Sequence, residues 1–196
     1  MRAPARAMTL ICVMLLAPAA TGTGLYQPGR YAVDADATRV HFHVKALVGK
    51  YEGDFRAPEG AVTIDPATPD RAAIDIVFPV GKMTTGDAST DAMLKGGSFF
   101  DMERYPTVRF TAENAPLAGT ESETRIAGRL TMHGQTLPTT LSVRLVGVTP
   151  DEAPGIATLH FMGTMSVERS KFGMGFGRPF VADRVDLSID AVFRRS

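Results

Sequence analysis

The stretch Arg39-Val40-His41-Phe42-His43-Val44-Lys45 puts an apolar side chain at every second position and a charged or polar one between. Successive side chains of a β-strand point to opposite faces, so Val40, Phe42 and Val44 share an apolar face while Arg39, His41, His43 and Lys45 share a wet one. The same alternation returns along the chain in Ile74, Ile76, Phe78 and Val80, in Ile126, Gly128, Leu130 and Met132, and in Leu141, Val143 and Leu145. Leu159, Phe161, Gly163 and Met165 carry it further, and Val185, Leu187, Ile189, Ala191 and Phe193 complete it. Arg125, Arg129 and Thr131, like Asp186, Ser188 and Asp190, suit the outer face. Turn residues separate the runs: Asp65-Pro66 with Pro69, Asn114 to Gly119, Gly134, and Thr149 to Gly155. The pattern predicts an all-β chain of antiparallel strands rolled around an apolar interior. Gly163, inside an apolar run, reads as a place where a missing side chain leaves room.

At 196 residues the chain fits one barrel-sized domain. Arg2 and Arg6 precede an uncharged stretch from Met8 to Ala17, and Ala17-Pro18-Ala19 has the small residues of an export cleavage site. Residues 1–19 are therefore expected to be a cleavable secretory signal peptide and 20–196 the barrel domain. The apolar stretch falls short of the roughly 20 residues of a spanning helix. Cys12 is the single cysteine, so no disulfide can staple the fold. With 21 Lys and Arg against 21 Asp and Glu there is no basic excess of the kind nucleic-acid binding requires.

Two segments break the alternation. Asp87 can cap a short helix from about Ala88 to Lys95, with Asp91 and Lys95 spaced as an i,i+4 pair and Gly96 ending it. Met93, Leu94, Phe99 and Phe100 would then lie over one end of the barrel as a plug. From Arg169 to Arg184, Phe172, Phe176 and Phe180 alternate with Gly173, Gly175 and Gly177, which suits a bent loop carrying rings to a cavity mouth. Its Gly-x-Gly-x-Gly neither follows a parallel strand nor opens a helix, so it does not read as a phosphate loop.

Chemistry has few candidates. His41 and His43 share a strand face and could ligate zinc, but a third ligand is not supplied nearby and both rings belong to the wet face. His133 sits in a turn beside Gly134, and His160 points outward between Leu159 and Phe161. A nucleophile elbow is not present. Asp87 and Asp91 are better explained as helix N-terminal charges than as an acid/base pair. Catalytic and metal-binding residues are accordingly not assigned.

The segment Leu94-Lys95-Gly96-Gly97-Ser98-Phe99-Phe100-Asp101-Met102-Glu103-Arg104-Tyr105-Pro106-Thr107-Val108-Arg109-Phe110 resembles the signature of the YceI-like family of periplasmic, lipocalin-like isoprenoid-binding proteins. Tyr31-Ala32-Val33-Asp34, Gly53-Asp54-Phe55, Gly128-Arg129-Leu130-Thr131-Met132-His133-Gly134-Gln135-Thr136 and Phe172-Gly173 follow the family in the same order. The resemblance implies an eight-stranded antiparallel lipocalin-like barrel with a short helix capping one end. It implies a non-enzymatic periplasmic protein that holds a polyisoprenoid in its interior for transport, storage or stress protection. No cofactor is implied beyond that lipid, polyprenyl phosphate or isoprenoid quinone. Contact with a membrane surface or membrane proteins, and a monomer or homodimer, complete the expected partners.

The residues expected to line the cavity are Phe42, Val44, Phe55, Ile76 and Phe78 from the first half of the barrel and Leu94, Phe99 and Phe100 from the plug. Phe110, Leu130, Met132, Phe161 and Met165 come from later strands and Phe172 from the glycine-rich loop. Arg169, Lys171 and Arg178 are candidates to meet a phosphate head. The chain departs from the family at Ala46, Thr90 and Met93, where the family carries polar mouth residues, which leaves the head group open. Two other readings stand beside this one: a lipid-modifying enzyme with a metal at His41 and His43, and a partner-binding barrel with no ligand.

Overall fold

A computed structural model describes residues 26–150 and 157–196; the expected signal peptide and Cys12 lie outside the described residues. Ten strand segments form the wall: β1 Gly29–Val33, β2 Arg39–Ala46, β3 Lys50–Phe55, β4 Glu59–Ile64, β5 Arg71–Pro79, β6 Thr107–Pro116, β7 Thr124–Met132, β8 Gln135–Pro150, β9 Ala157–Glu168 and β10 Val181–Arg195. One helix, α1 Ala88–Lys95, stands between β5 and β6.

These ten segments occupy eight places in a closed antiparallel barrel. β1 and β2 lie end to end along β10, with Tyr31 opposite Arg195 and Val44 opposite Val185. β4 and β3 in turn lie end to end along β1 and β2. From β4 the wall continues β5, β6, β7, β8, β9 and back to β10. The break between β1 and β2 is built by side chains. Asp34 Oδ1 accepts the backbone N–H groups of Asp36 and Ala37, and buried Thr38 exchanges two hydrogen bonds with the backbone of Val192. An Asx-type turn of this kind satisfies backbone groups that the interrupted ladder leaves open.

The expected alternation is what the wall shows. Val40, Phe42 and Val44 are buried while Arg39 and Lys45 are exposed. On the outer face, polar pairs cross between neighbouring strands: Arg109 with Asp75 at 2.5 Å, His160 with Asp190 at 2.5 Å and His41 with Asp54 at 2.9 Å. Exposed pairs contribute little stability each, so they matter more for register than for energy.

Glycines make room for rings where strands approach closely. A Cβ on Gly53 would come within 2.7 Å of the Phe42 ring, and one on Gly128 within 2.5 Å of the Phe110 ring. Gly163 lies on the barrel interior, as its place in an apolar run suggests. A Cβ there would also meet the Ser142 carbonyl at 2.8 Å and Val143 at 3.0 Å, so the missing side chain serves the close packing of β9 on β8 as well.

Candidate functional site

The inward faces do not fill the barrel. They enclose a cavity of about 320 Å³ that runs from Tyr26, Leu117 and Ala118 at one end to Met93, Phe99 and Phe176 at the other. That volume lies at the lower end of the range for small-molecule sites. Its wall is hydrocarbon and aromatic throughout, apart from the polar groups of Tyr26, Thr38, Tyr51 and Arg169. All of the cavity residues expected from the sequence line it except Phe172. Phe172 is buried in a 3-10 turn, Arg169–Phe172, and packs into the core. Its carbonyl accepts the His133 Nδ1–H at 2.8 Å, which places that histidine in a structural role.

The closed end is stoppered by Tyr26, which the alternation could not flag because it precedes every strand. Its ring stacks on Phe161 with centroids 6.4 Å apart, and its hydroxyl donates to the carbonyl of Ala118. Burial, helped by neighbouring Tyr31, pushes the Tyr26 phenol well above its ordinary range, so it is neutral at physiological pH.

The opposite end is the mouth. Tyr51, Met93 and Phe176 line the cavity and are also exposed to solvent, which marks where the interior opens. The helix α1 sits there as expected, and Leu94, Phe99 and Phe100 face inward. Phe100 meets Phe55 edge-on at 5.7 Å, and Phe99 meets Phe176 of the glycine-rich loop at 5.6 Å. The Tyr105-Pro106 turn brings the chain back into β6. The Tyr105 N–H donates to the Asp101 carbonyl at 2.8 Å, and the Tyr105 ring packs on His133.

No residue of α1 is fully buried; Leu94 packs part-buried against the core, and the rest of the plug's hold comes from its ends. Asp87 caps the N-terminus, accepting from the Thr90 N–H at 2.7 Å and the Ser89 hydroxyl at 2.6 Å. Asp91 Oδ1 accepts both the N–H and the hydroxyl of Thr85, and the charge of Lys95, four residues on, also favours the ionised carboxylate. The Ser89 and Thr90 bonds hold the Asp87 carboxyl down at about 2. A depressed folded-state value means that its contribution is complete above the ordinary carboxylate range and is lost as pH falls towards 2. Amide exchange of residues 88–96, corrected for intrinsic rates, should therefore lose protection between pH 4 and about 2. In Asp87→Asn, an uncharged cap, this segment should show a weaker pH response. Constant protection of the native segment down to pH 2 would contradict this assignment.

Among the described residues Arg169 is the single charged one on the cavity wall, and it is 5 % exposed. Its guanidinium is spent on main-chain carbonyls: Nε donates to Ala182 at 2.9 Å, Nη1 to Met174 and Phe176 at 2.5 and 2.7 Å, and Nη2 to Val181 at 3.0 Å. Desolvation lowers its pKa from the ordinary guanidinium value, but an arginine stays protonated. It gathers the two sides of the mouth loop. Lys171 pairs with Glu168 at 2.7 Å and Arg178 with Asp183 at 3.8 Å, both on the surface.

Of the family departures, Met93 lines the mouth, whereas Ala46 pairs with Val181 at the end of β2 and Thr90 belongs to the helix; neither is on the cavity wall. His41 is committed to Asp54, and among the described residues no three His, Cys, Asp or Glu side chains gather as a metal site.

A closed eight-stranded barrel around an apolar cavity with one plugged mouth defines the chain as a lipocalin-like container. Within that class the chain belongs to the YceI-like family, whose domain matches residues 31–193. A UPF0312 protein of Pseudomonas savastanoi pv. phaseolicola is 26% identical over 189 residues, spanning 92% of this chain and 97% of the relative. The crystal structure of Burkholderia cenocepacia BcnA superposes with a TM-score of 0.67 at 27% identity, over 82% of this chain and 98% of that one. A polyisoprenoid-binding domain from Saccharophagus degradans, implicated in plant cell wall breakdown, superposes with a TM-score of 0.63 at 15% identity, over 85% and 98% of the two chains.

Proposed function

We propose that this protein is an exported carrier that shields a long isoprenoid chain from water and that the head group it accepts is uncharged. The observation that carries the reading is the wall itself: apolar but for Tyr26, Thr38, Tyr51 and Arg169, with the one guanidinium among the described lining residues already engaged by four carbonyls. A hydrocarbon tail gains about 0.8 kcal/mol for each methylene it buries and needs no polar partner. A phosphate placed inside would need cations or donors that are free to face it, because an unpaired buried charge is strongly disfavoured. A quinone or another neutral head meets no such demand, and at the mouth it can remain partly hydrated. Membership of the YceI-like family supports the lipid class, as does the polyisoprenoid-binding description of the Saccharophagus domain.

The test is to purify the protein from a bacterial host without detergent, extract it with organic solvent and analyse the extract by mass spectrometry. A stoichiometric neutral isoprenoid is the expected result. Repeated recovery of lipid-free protein would remove the carrier reading, and a polyprenyl phosphate would overturn the choice of head group.

A further inference from the structure

The described residues expose eight large apolar side chains, and six of them gather at one place. Leu47 and Val48, 77 % and 90 % exposed, form the tip of the β2–β3 hairpin, with Tyr51 just behind. Phe176 and Phe180, 61 % and 65 % exposed, stand on the glycine-rich loop, and Met93 stands on α1. The Leu47 N–H donates to the Phe180 carbonyl at 2.7 Å, so hairpin tip and loop form one rim. The rim is continuous with the cavity, because Tyr51, Met93 and Phe176 are also part of its lining. The other two, Val146 and Met162, lie on the β8 and β9 segments of the wall, away from the mouth.

We propose that this rim is a membrane-docking surface: Leu47, Val48, Phe176 and Phe180 enter the interfacial layer of a lipid bilayer and place the cavity mouth against the acyl chains. The inference rests on the carrier reading above and adds the partner that the same site faces. Three features select a bilayer. The apolar residues sit on a hairpin tip, a loop and a helix arranged around an opening, a shape suited to entering a fluid layer. A long isoprenoid must leave a membrane to reach the cavity, and a rim inserted at the interface lets it pass without exposing its chain to water. Three basic residues at the rim are paired with acids, Lys50 with Glu52, Lys171 with Glu168 and Arg178 with Asp183, while Lys45 stands opposite Lys50 across the hairpin. With most of the local positive charge compensated, docking is driven chiefly by apolar insertion.

The test uses the full folded protein and flotation with vesicles of phosphatidylcholine alone. Leu47→Asp/Val48→Asp/Phe180→Asp is the informative variant, since none of these three residues lines the cavity. Uptake of geranylgeraniol, followed by native mass spectrometry, reports on the cavity separately, and circular dichroism reports on the fold. The native protein should float with the vesicles and change little between low and high salt. The variant should lose about tenfold or more in partitioning while retaining its fold and its geranylgeraniol uptake. Native protein that stays in solution, or a variant that floats equally well, overturns the proposal. So does a requirement for anionic lipid that salt abolishes, and so does a native dimer that the variant dissolves into monomers. Flotation without geranylgeraniol uptake would instead overturn the carrier reading and leave the docking surface standing.

Discussion

Replacing Arg169 with Met lowers the melting temperature by about 10 °C and loosens the cavity mouth. The substitution leaves the carbonyls of Met174, Phe176, Val181 and Ala182 without their donor. One of these four bonds is buried and three are part-buried, and with about 1–3 kcal/mol lost per buried acceptor left without a donor the total loss is about 3–5 kcal/mol. For a domain of this size each kcal/mol corresponds to roughly 2–4 °C. Arg169→Lys should recover little of the loss, because an ammonium cannot present the fork that reaches four carbonyls at once. Thermal unfolding followed by circular dichroism measures the shift, and amide exchange over residues 173–182 shows whether it is felt at the mouth. A melting point within about 2 °C of the native value would show that the network is not the clasp described here.

The second large effect concerns the length of chain the cavity admits. Ile74 on β5 and Met165 on β9 lie on opposite walls at different depths, Ile74 towards the stoppered end and Met165 towards the mouth. Both are only partly buried, so each side chain borders open space. An indole at Ile74 should truncate the tunnel: Ile74→Trp keeps affinity for a fifteen-carbon prenyl alcohol, of about native strength, and loses about tenfold or more for a forty-carbon one. Met165→Trp should weaken both, because it narrows the cavity near the mouth. Competition by prenyl alcohols of graded length, read by native mass spectrometry, separates the two patterns. Equal losses for both lengths in Ile74→Trp would mean that the ligand does not lie along the barrel axis.

How far the sequence reveals this arrangement depends on whether the information is periodic. The inward positions of β2, β7 and β10 are legible because side chains two apart must share a face, and any closed antiparallel wall then carries them to one interior. The plug helix is legible for a similarly local reason, since Asp87 and Gly96 mark its ends. Tyr26 and Arg169 are not legible in their roles. Tyr26 reaches its place through a stack on Phe161, far along the chain, and Arg169 recognises main-chain carbonyls, which leave no trace in side-chain identity. Phe172 shows the limit of alternation outside a strand: the 3-10 turn rotates it into the core and leaves Phe176 to line the mouth. Gly163 shows that a glycine in a wall signals space, close approach or both, and sequence does not distinguish them.

The long strand β10 serves three neighbours, β9 along most of its length, β2 along its first part and β1 at its end. Its contact with the β1–β2 junction, Thr38 to Val192, joins residues 154 positions apart. A seam of such sequence separation is expected to close late in folding. Hairpins between successive strands can form early from local pairings, but the cylinder exists only when the two ends of the described chain find each other, a non-local search that places such folds in the millisecond-to-second range. Until then the lining meant for a lipid faces water as an open, sticky sheet, and the time spent in that state sets the protein's exposure to aggregation.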